Sequence, residues 1–227
     1  MNTVIIVAAG SGTRFGAKKP KQFIEILGQP LIIYTLQKFE SCPAIDEIIL
    51  VLPAAEIESF RQIAKKYNLK KLAKTVSGGK TRAASVWNGL DAIDEKSAEI
   101  IAVHDGARPL VSGEEITKTI EKAKETGAAC LVGFVADTIK EVSDGKIVRT
   151  IDRAKLRRAL TPQCFQYAIL KRAFAQNEFG EMVTDECFLV EKLGVEVSIV
   201  EGNAQNIKIT TPEDAAIVEN FLKQSQS

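Results

Sequence analysis

Short runs of β-branched residues alternate with amphipathic helical patterns from residue 4 to residue 135. The run Val4-Ile5-Ile6-Val7 is continuous, which is typical of a strand covered by helices on both faces. The later segments keep the same alternation, with strands predicted at 48–52, 75–77, 100–103 and 129–135, and helices at 30–40, 54–67, 81–93 and 112–126. This order favours an α/β fold, a three-layer α/β/α sandwich around a mostly parallel sheet.

The alternation breaks after Thr138. Residues 139–142 and 146–151 flank an Asp144-Gly145 pair, which indicates a β-hairpin that projects from the sandwich as an arm. Regular patterns then return, with helices predicted at 168–175 and 185–193, strands at 195–200 and 206–209, and a last helix from 211. Because no repeat or linker interrupts the chain, we predict one domain over 1–227 with an arm at about 138–158.

Composition excludes several classes of function. The 227 residues carry a formal net charge of +1, so no global field recruits nucleic acid or an anionic membrane. The four cysteines are scattered without metal-ligand spacing, and the apolar run near the start is too short to cross a bilayer. We therefore predict a cytoplasmic protein with reduced thiols, whose electropositive site is local.

The local candidate is the loop AAGSGTRFGAKKPKQ at 8–22, which interleaves three glycines with four cations. A Walker A motif requires Lys-Ser or Lys-Thr after its second glycine, and Gly16 is followed by Ala17-Lys18-Lys19. A dinucleotide fingerprint requires G-x-G-x-x-G opening a helix, whereas the spacing here is longer and Pro20 interrupts the helix. Hydride chemistry is disfavoured, while a basic loop without a ligand stays open as an alternative.

Fixed cations in such a loop suit attack on the α-phosphorus of a nucleoside triphosphate. Negative charge builds on the phosphate oxygens and on the departing pyrophosphate, and preorganised cations stabilise it. Arg14 and Lys21 are the most constrained of the four, because they lie beside Gly12 and Pro20. The loop is therefore predicted to close over a triphosphate.

Two further strand ends carry candidate ligands. Gly78-Gly79 followed by Ser85 would let a flat base approach the backbone, although a simple turn would give the same pattern. In VHDGARP at 103–109, Asp105 could hold Mg²⁺ on phosphates or could pair with Arg108. His104 is the only histidine, and we interpret it as a structural neighbour of the site.

Together these stretches resemble the 2-C-methyl-D-erythritol 4-phosphate cytidylyltransferases of the non-mevalonate isoprenoid pathway. The resemblance rests on AAGSGTRFG with PKQ, GGKTRAASV and VHDGARP, and continues with DRAKLRRALTPQCF, VTDE and NIKITTPED, from residue 8 to 214. It implies a Rossmann-like fold of the nucleotide-diphospho-sugar transferase type. It also implies transfer of CMP from CTP to methylerythritol phosphate with release of pyrophosphate, without a covalent intermediate or a general base.

The resemblance also implies roles for individual residues. Arg14 and Lys21 would stabilise the transition state, and Arg153 and Lys208 would hold the attacking phosphate. The nucleotide would be bound by Ala8, Ala9, Gly10, Gly12, Gly79, Ser85 and Asp105, and the acceptor by Asp105, Arg108, Thr138, Thr161 and Thr184. Mg²⁺ would accompany CTP with Asp105 as its ligand, and the arm would carry Thr138 and Arg153 to the other subunit of a homodimer with shared active sites.

One departure from the family pattern is visible, because Gly106 stands where alanine is usual. Three alternatives remain at this stage. The acceptor could be another polyol phosphate such as ribitol 5-phosphate, the chain could bind a nucleotide without catalysis, or it could be an oxidoreductase, which the loop spacing disfavours. Ala8-Ala9-Gly10 sides with the methylerythritol enzymes rather than with their ribitol relatives.

Overall fold

A computed structural model describes residues 1–10, 20–176 and 183–224. Its strands are β1 Asn2–Val7, β2 Glu25–Ile26, β3 Gln29–Pro30, β4 Glu47–Leu52, β5 Leu72–Ser77, β6 Ile100–Asp105, β7 Ala128–Phe134, β8 Ile139–Ser143, β9 Lys146–Ile151, β10 Arg157–Gln166 and β11 Ser198–Glu201. Its α-helices are α1 Leu31–Glu40, α2 Ile57–Ala64, α3 Arg82–Asp91, α4 Gly113–Thr126, α5 Tyr167–Gln176, α6 Glu186–Glu191 and α7 Pro212–Gln224.

The central sheet has seven strands in the order β11-β7-β10-β6-β1-β4-β5. β10 runs antiparallel to both of its neighbours, and the other pairings are parallel. Ile6 of β1 packs into the core on one face and Ile5 into the core on the other, which explains the continuous apolar run. The mostly parallel, helix-covered sheet predicted from the sequence is confirmed.

β10 and the segment at 206–209 differ from the prediction. β10 was not predicted, because Pro162 lies within it, where the register against β7 shifts between Ala159 and Gln163. The strand predicted at 206–209 does not form, and these residues have no regular structure. Ile209 is instead buried in a small cluster with Leu31 and Val218, so its apolar character reflects packing rather than strand pairing.

Helix ends follow their local chemistry. The Ser112 side chain accepts from the Glu115 backbone and the Glu115 side chain accepts from the Ser112 backbone, which is the predicted capping box of α4. The helix predicted at 54–67 is shorter, because a 3₁₀ turn at 54–56 precedes α2. The cap of α4 could therefore be predicted from the sequence, whereas the exact length of α2 could not.

The hairpin of β8 and β9 forms the predicted arm. Asp144 and Gly145 have φ angles of 50° and 74°, the left-handed values that a two-residue hairpin turn requires. Its apolar side chains face solvent in the single chain, and Val142 and Ile147 are each 65% exposed. Exposed apolar side chains of this kind are typical of an interaction surface.

Two further predictions concern the state of the cysteine thiols and the presence of membrane-spanning helices. Cys42, Cys130, Cys164 and Cys187 are buried and free, as predicted. Within the described ranges, no helix has the length and apolar character needed to cross a bilayer.

Candidate active site

A cavity of about 430 Å³ opens at the carboxyl ends of β1 and β6. Open α/β sheets bind ligands at this edge, because strand ends and helix N-termini converge there. The described residues that line it are Val7, Ala8, Ala9, Gly10, Lys21, Gln22, Gly79, Lys80, Thr81, Arg82, Ser85, Asp105, Gly106, Ala107, Lys208 and Thr210. The cavity therefore joins the first glycine loop, the start of α3, the end of β6 and the segment before α7.

The wall beside α3 depends on glycine for close approach. A Cβ on Gly78 would lie 2.2 Å from the Ala9 Cβ, and one on Gly79 would lie 2.6 Å from the Ala84 Cβ. The Gly79 N–H donates to Ser85 Oγ at 3.1 Å, and that hydroxyl donates to the Thr81 carbonyl at 2.9 Å. Gly79 and Ser85 thus form one close-packed corner of the cavity, where the base pocket was predicted.

Asp105 is the charged centre of the cavity. Its Oδ1 accepts from Arg82 Nε at 3.3 Å, and its Oδ2 pairs with Lys208 Nζ at 2.9 Å and Arg108 Nε at 3.5 Å. Burial alone would raise the pKa of Asp105, but these three cations hold it well below its ordinary value. The carboxylate is therefore ionised near neutral pH.

Lys21 and Lys208 come from opposite ends of the chain and line the same cavity. Lys21 lies in a 3₁₀ turn directly after Pro20, and its Nζ donates to the Ile209 carbonyl at 3.1 Å. This contact ties the end of the glycine loop to the segment that carries Lys208. The two predicted cations and Asp105 are thus brought together.

Thr161 and Arg108 support Asp105 from behind and do not line the cavity. Thr161 Oγ1 accepts from the Asp105 N–H at 3.2 Å, and Arg108 Nη1 donates to the Asn206 carbonyl at 2.8 Å. Both side chains are buried. Their direct contact with the acceptor stays a prediction, while their observed contacts position Asp105.

His104 is buried between the same groups and is not placed for catalysis. Its Nε2 lies 3.1 Å from the Arg108 carbonyl, which can only accept, so Nε2 carries the proton. Its Nδ1 lies 3.0 Å from Thr161 Oγ1 and accepts from that hydroxyl. Burial lowers the pKa of His104 to about 4, so the ring is neutral near pH 7 and both nitrogens are engaged within the protein.

The other predicted residues lie away from the cavity or outside the described ranges. Thr138 and Thr184 are exposed, and Arg153 lies on the arm side of β10, where its guanidinium donates to the Ala136 carbonyl. None of these three lines the cavity. Gly12 and Arg14 fall at 11–19, outside the described residues. The roles of all five stay predictions.

Sequence reasoning missed Arg82. It is the first residue of α3, it lines the cavity, and its Nη1 donates to Glu186 Oε1 at 2.6 Å. The available signal was its position directly after the cap Thr81, at a helix start beside a glycine turn. Nothing local indicates Glu186 as its partner, because the two residues are 104 positions apart.

A divalent cation has one candidate protein ligand here. Among the lining residues, Asp105 is the only carboxylate, and the described residues contain no cluster of three or more metal-ligating side chains. Mg²⁺ is commonly held by one or two carboxylates together with substrate phosphates, so this donor set fits a metal that arrives with a triphosphate.

Comparisons with known proteins indicate one family. The family profile described as 2-C-methyl-D-erythritol 4-phosphate cytidylyltransferase matches residues 2–224. A protein of that name from Alkaliphilus metalliredigens is 47% identical over 225 residues, covering 98% of this chain and 93% of the relative. One from Bacillus licheniformis is 45% identical, covering 97% and 95%.

A solved structure supports the same family assignment. The crystal structure of 4-diphosphocytidyl-2C-methyl-D-erythritol synthase from Anaerococcus prevotii superimposes with a TM-score of 0.85 at 31% identity, covering 98% of this chain and 96% of that one. Family profile, curated relatives and fold coincide over nearly the whole chain. The chain therefore belongs to the 2-C-methyl-D-erythritol 4-phosphate cytidylyltransferase family.

Proposed function

We propose that this chain transfers CMP from CTP to 2-C-methyl-D-erythritol 4-phosphate in isoprenoid precursor biosynthesis. The products are pyrophosphate and 4-diphosphocytidyl-2-C-methyl-D-erythritol. The observation that carries the proposal is the cavity in which Lys21, Arg82 and Lys208 surround a single carboxylate, Asp105. Membership of the family supports the acceptor, and no observation favours ribitol 5-phosphate.

The nucleotide is assigned to the side of the cavity formed by the first loop and α3. Ala8, Ala9 and Gly10 line this side, and the close-packed corner of Gly79 and Ser85 would select a small base. A pocket whose donors and acceptors are fixed can select a base by the size of its ring and by the hydrogen-bonding groups along the edge of that ring. CTP would then extend its phosphates toward Lys21.

The chemistry needs positioning and charge rather than a general base. The attacking phosphate is already an anion, and the neutral His104 is fully engaged with Thr161 and Arg108. Lys21 and the predicted Arg14 would stabilise charge on the α-phosphate, and Lys208 would offset repulsion between the two substrates. For Lys208 to reach the acceptor phosphate, it must leave Asp105, which stays ionised through Arg82 and Arg108.

Magnesium is part of the proposal. Asp105 would hold Mg²⁺ together with phosphate oxygens of CTP, and its cavity-facing carboxylate is compatible with that role. The bound ion would neutralise phosphate charge. Asp105 itself would orient the metal-bound nucleotide against the acceptor.

We also propose a homodimer with shared active sites. The exposed apolar side chains of the arm need a partner, and Thr138 and Arg153 lie at its base, away from their own cavity. A second copy that receives the arm would bury this apolar surface and bring Arg153 to a neighbouring cavity. The cytoplasmic location stays a prediction from the sequence.

Phosphorus NMR tests the reaction directly. With CTP, Mg²⁺ and methylerythritol phosphate, the triphosphate and monoester signals should disappear together while pyrophosphate and a diphosphodiester appear. ATP, GTP and UTP serve as controls that should stay intact. Release of free CMP without consumption of the acceptor would contradict transfer.

A further inference from the structure

Glu186 is a buried carboxylate that the proposed reaction does not yet use. It is 0% exposed at the start of α6, where Asp185 caps the helix. Its Oε1 accepts from Arg82 Nη1 at 2.6 Å, while Oε2 has no hydrogen-bond partner in the described part of the chain. Burial raises the pKa of Glu186 and Arg82 opposes this rise.

Stability alone does not explain this ion pair. A buried carboxylate with an unpaired oxygen carries a desolvation cost, and apolar residues of similar volume often stabilise such a site equally well. Arg82 reaches beyond the pair to the Asp105 carboxylate and the cavity. The arrangement therefore connects a fully buried group to the charged centre of the active site.

The geometry of Arg82 shows what Glu186 can control. The guanidinium is planar, and with Nη1 on Glu186 and Nε on Asp105 its orientation is fixed at two points. Arginine otherwise tends to bind a carboxylate through two parallel bonds, covering both oxygens. Because Nη1 is held by Glu186, only Nε reaches Asp105, and Oδ2 remains with Lys208 and Arg108.

We propose that Glu186 is a positioning residue that holds Arg82 on Asp105 Oδ1 alone, and thereby keeps Asp105 Oδ2 open to the cavity when Lys208 moves to the acceptor phosphate. The inference rests on the proposed function, because it concerns how the same site is kept competent. Without the Glu186 charge, Arg82 turns toward Asp105 and covers Oδ2, the oxygen that Lys208 vacates when it moves to the acceptor phosphate. Turnover falls even though Glu186 does not line the cavity.

The first test is Glu186→Gln, which keeps side-chain volume and an acceptor oxygen but removes the charge. We expect kcat/KM for methylerythritol phosphate to fall by about 10- to 100-fold, as is typical when a residue that orients a direct ligand is changed. Glu115→Gln is the matched control. Glu115 is also buried, and its oxygens accept from the Asn203 and Ser112 N–H groups at 2.7 and 2.8 Å, away from the cavity. It should lower the melting temperature while kcat/KM stays unchanged.

A double-mutant cycle separates positioning from a merely structural role. If Glu186 acts through Asp105, then Glu186→Gln should have little further effect on kcat/KM in an Asp105→Asn background. If the two losses multiply instead, Glu186 acts independently of Asp105 and the proposal is overturned. Undiminished kcat/KM in the single Glu186→Gln variant overturns it as well.

Arg82→Lys keeps the proposal open to refutation if Glu186→Gln does not fold. Lysine keeps the charge but lacks the fork that spans two carboxylates, so we expect a loss of about the same 10- to 100-fold. Wild-type kcat/KM in this variant would overturn the proposal. The unaltered chain is assayed alongside, so that its inactivity with CTP and methylerythritol phosphate would refute the proposed function, whereas an active wild type with fully active variants refutes only the role of Glu186.

Discussion

Lowering the pH from about 7.5 to about 5 should destabilise this fold through one residue, His104. It is the only histidine of the chain, and it is fully buried. Its Nδ1 accepts from the Thr161 hydroxyl, and Arg108, Lys208 and Asp105 surround it. Protonation would break the bond from Thr161 and place a cation beside Arg108 and Lys208, without water to solvate it.

The size of the effect follows from the two pKa values. Burial lowers the pKa of His104 from 6.5 to about 4. The unfolded chain binds a proton on His104 at a higher pH than the folded chain does. The contribution of His104 to the free energy of unfolding is therefore fully present above about pH 6.5 and is lost as the pH falls toward 4. The full difference corresponds to about 3.4 kcal/mol at 1.36 kcal/mol per pH unit, and about 2 kcal/mol of it is lost by pH 5.

Urea denaturation at both pH values measures this loss. With an m value of about 2–3 kcal/mol/M, the midpoint should fall by about 0.7–1 M. His104→Gln is the control, because its midpoint should lose this pH dependence. Glu186, whose pKa is raised, works in the opposite direction but is common to both proteins, and Asp105 contributes only at lower pH. Equal pH dependence in the two proteins would refute a buried neutral His104.

Three further perturbations follow from the site and the arm. Lys21→Ala should lower kcat by about 10²–10³-fold with an unchanged far-UV circular dichroism spectrum, and near-normal turnover would rule out its proposed role. Val142→Asp combined with Ile147→Asp should give a monomer in sedimentation equilibrium, and a persistent dimer would exclude the arm as the interface. Gly106→Ala should cost about 1–3 kcal/mol, because its Cβ would lie 2.9 Å from the Ala8 Cβ, and an unchanged melting temperature would contradict this overpacking.

Residue patterns predicted the parallel sheet because a strand buried on both faces has a continuous run of apolar residues. β10 escaped prediction because Pro162 argues against a central strand. The segment at 206–209 was wrongly predicted as a strand because a buried Ile209 gives the same local signal as strand pairing. The spacing of apolar residues therefore predicts which residues are buried better than it predicts which segments pair as strands.

The site was partly predictable for a similar reason. Asp105 and Lys21 lie at strand and loop ends, where chemistry is expected, and Lys208 was supplied by resemblance to the family. The bridge from Glu186 through Arg82 to Asp105 joins residues far apart in sequence, and no local pattern encodes such a pairing. The role of Thr161 at the acceptor stays a prediction, and the contacts observed for its hydroxyl are with the Asp105 N–H and His104.

The most direct test of the proposed function is pyrophosphate release from CTP across a panel of polyol phosphates, measured under initial-rate conditions with Mg²⁺. Methylerythritol phosphate should give a far higher kcat/KM than ribitol 5-phosphate or a simple sugar phosphate, and other nucleoside triphosphates should not replace CTP. Turnover with ribitol 5-phosphate but not with methylerythritol phosphate would contradict the assigned acceptor.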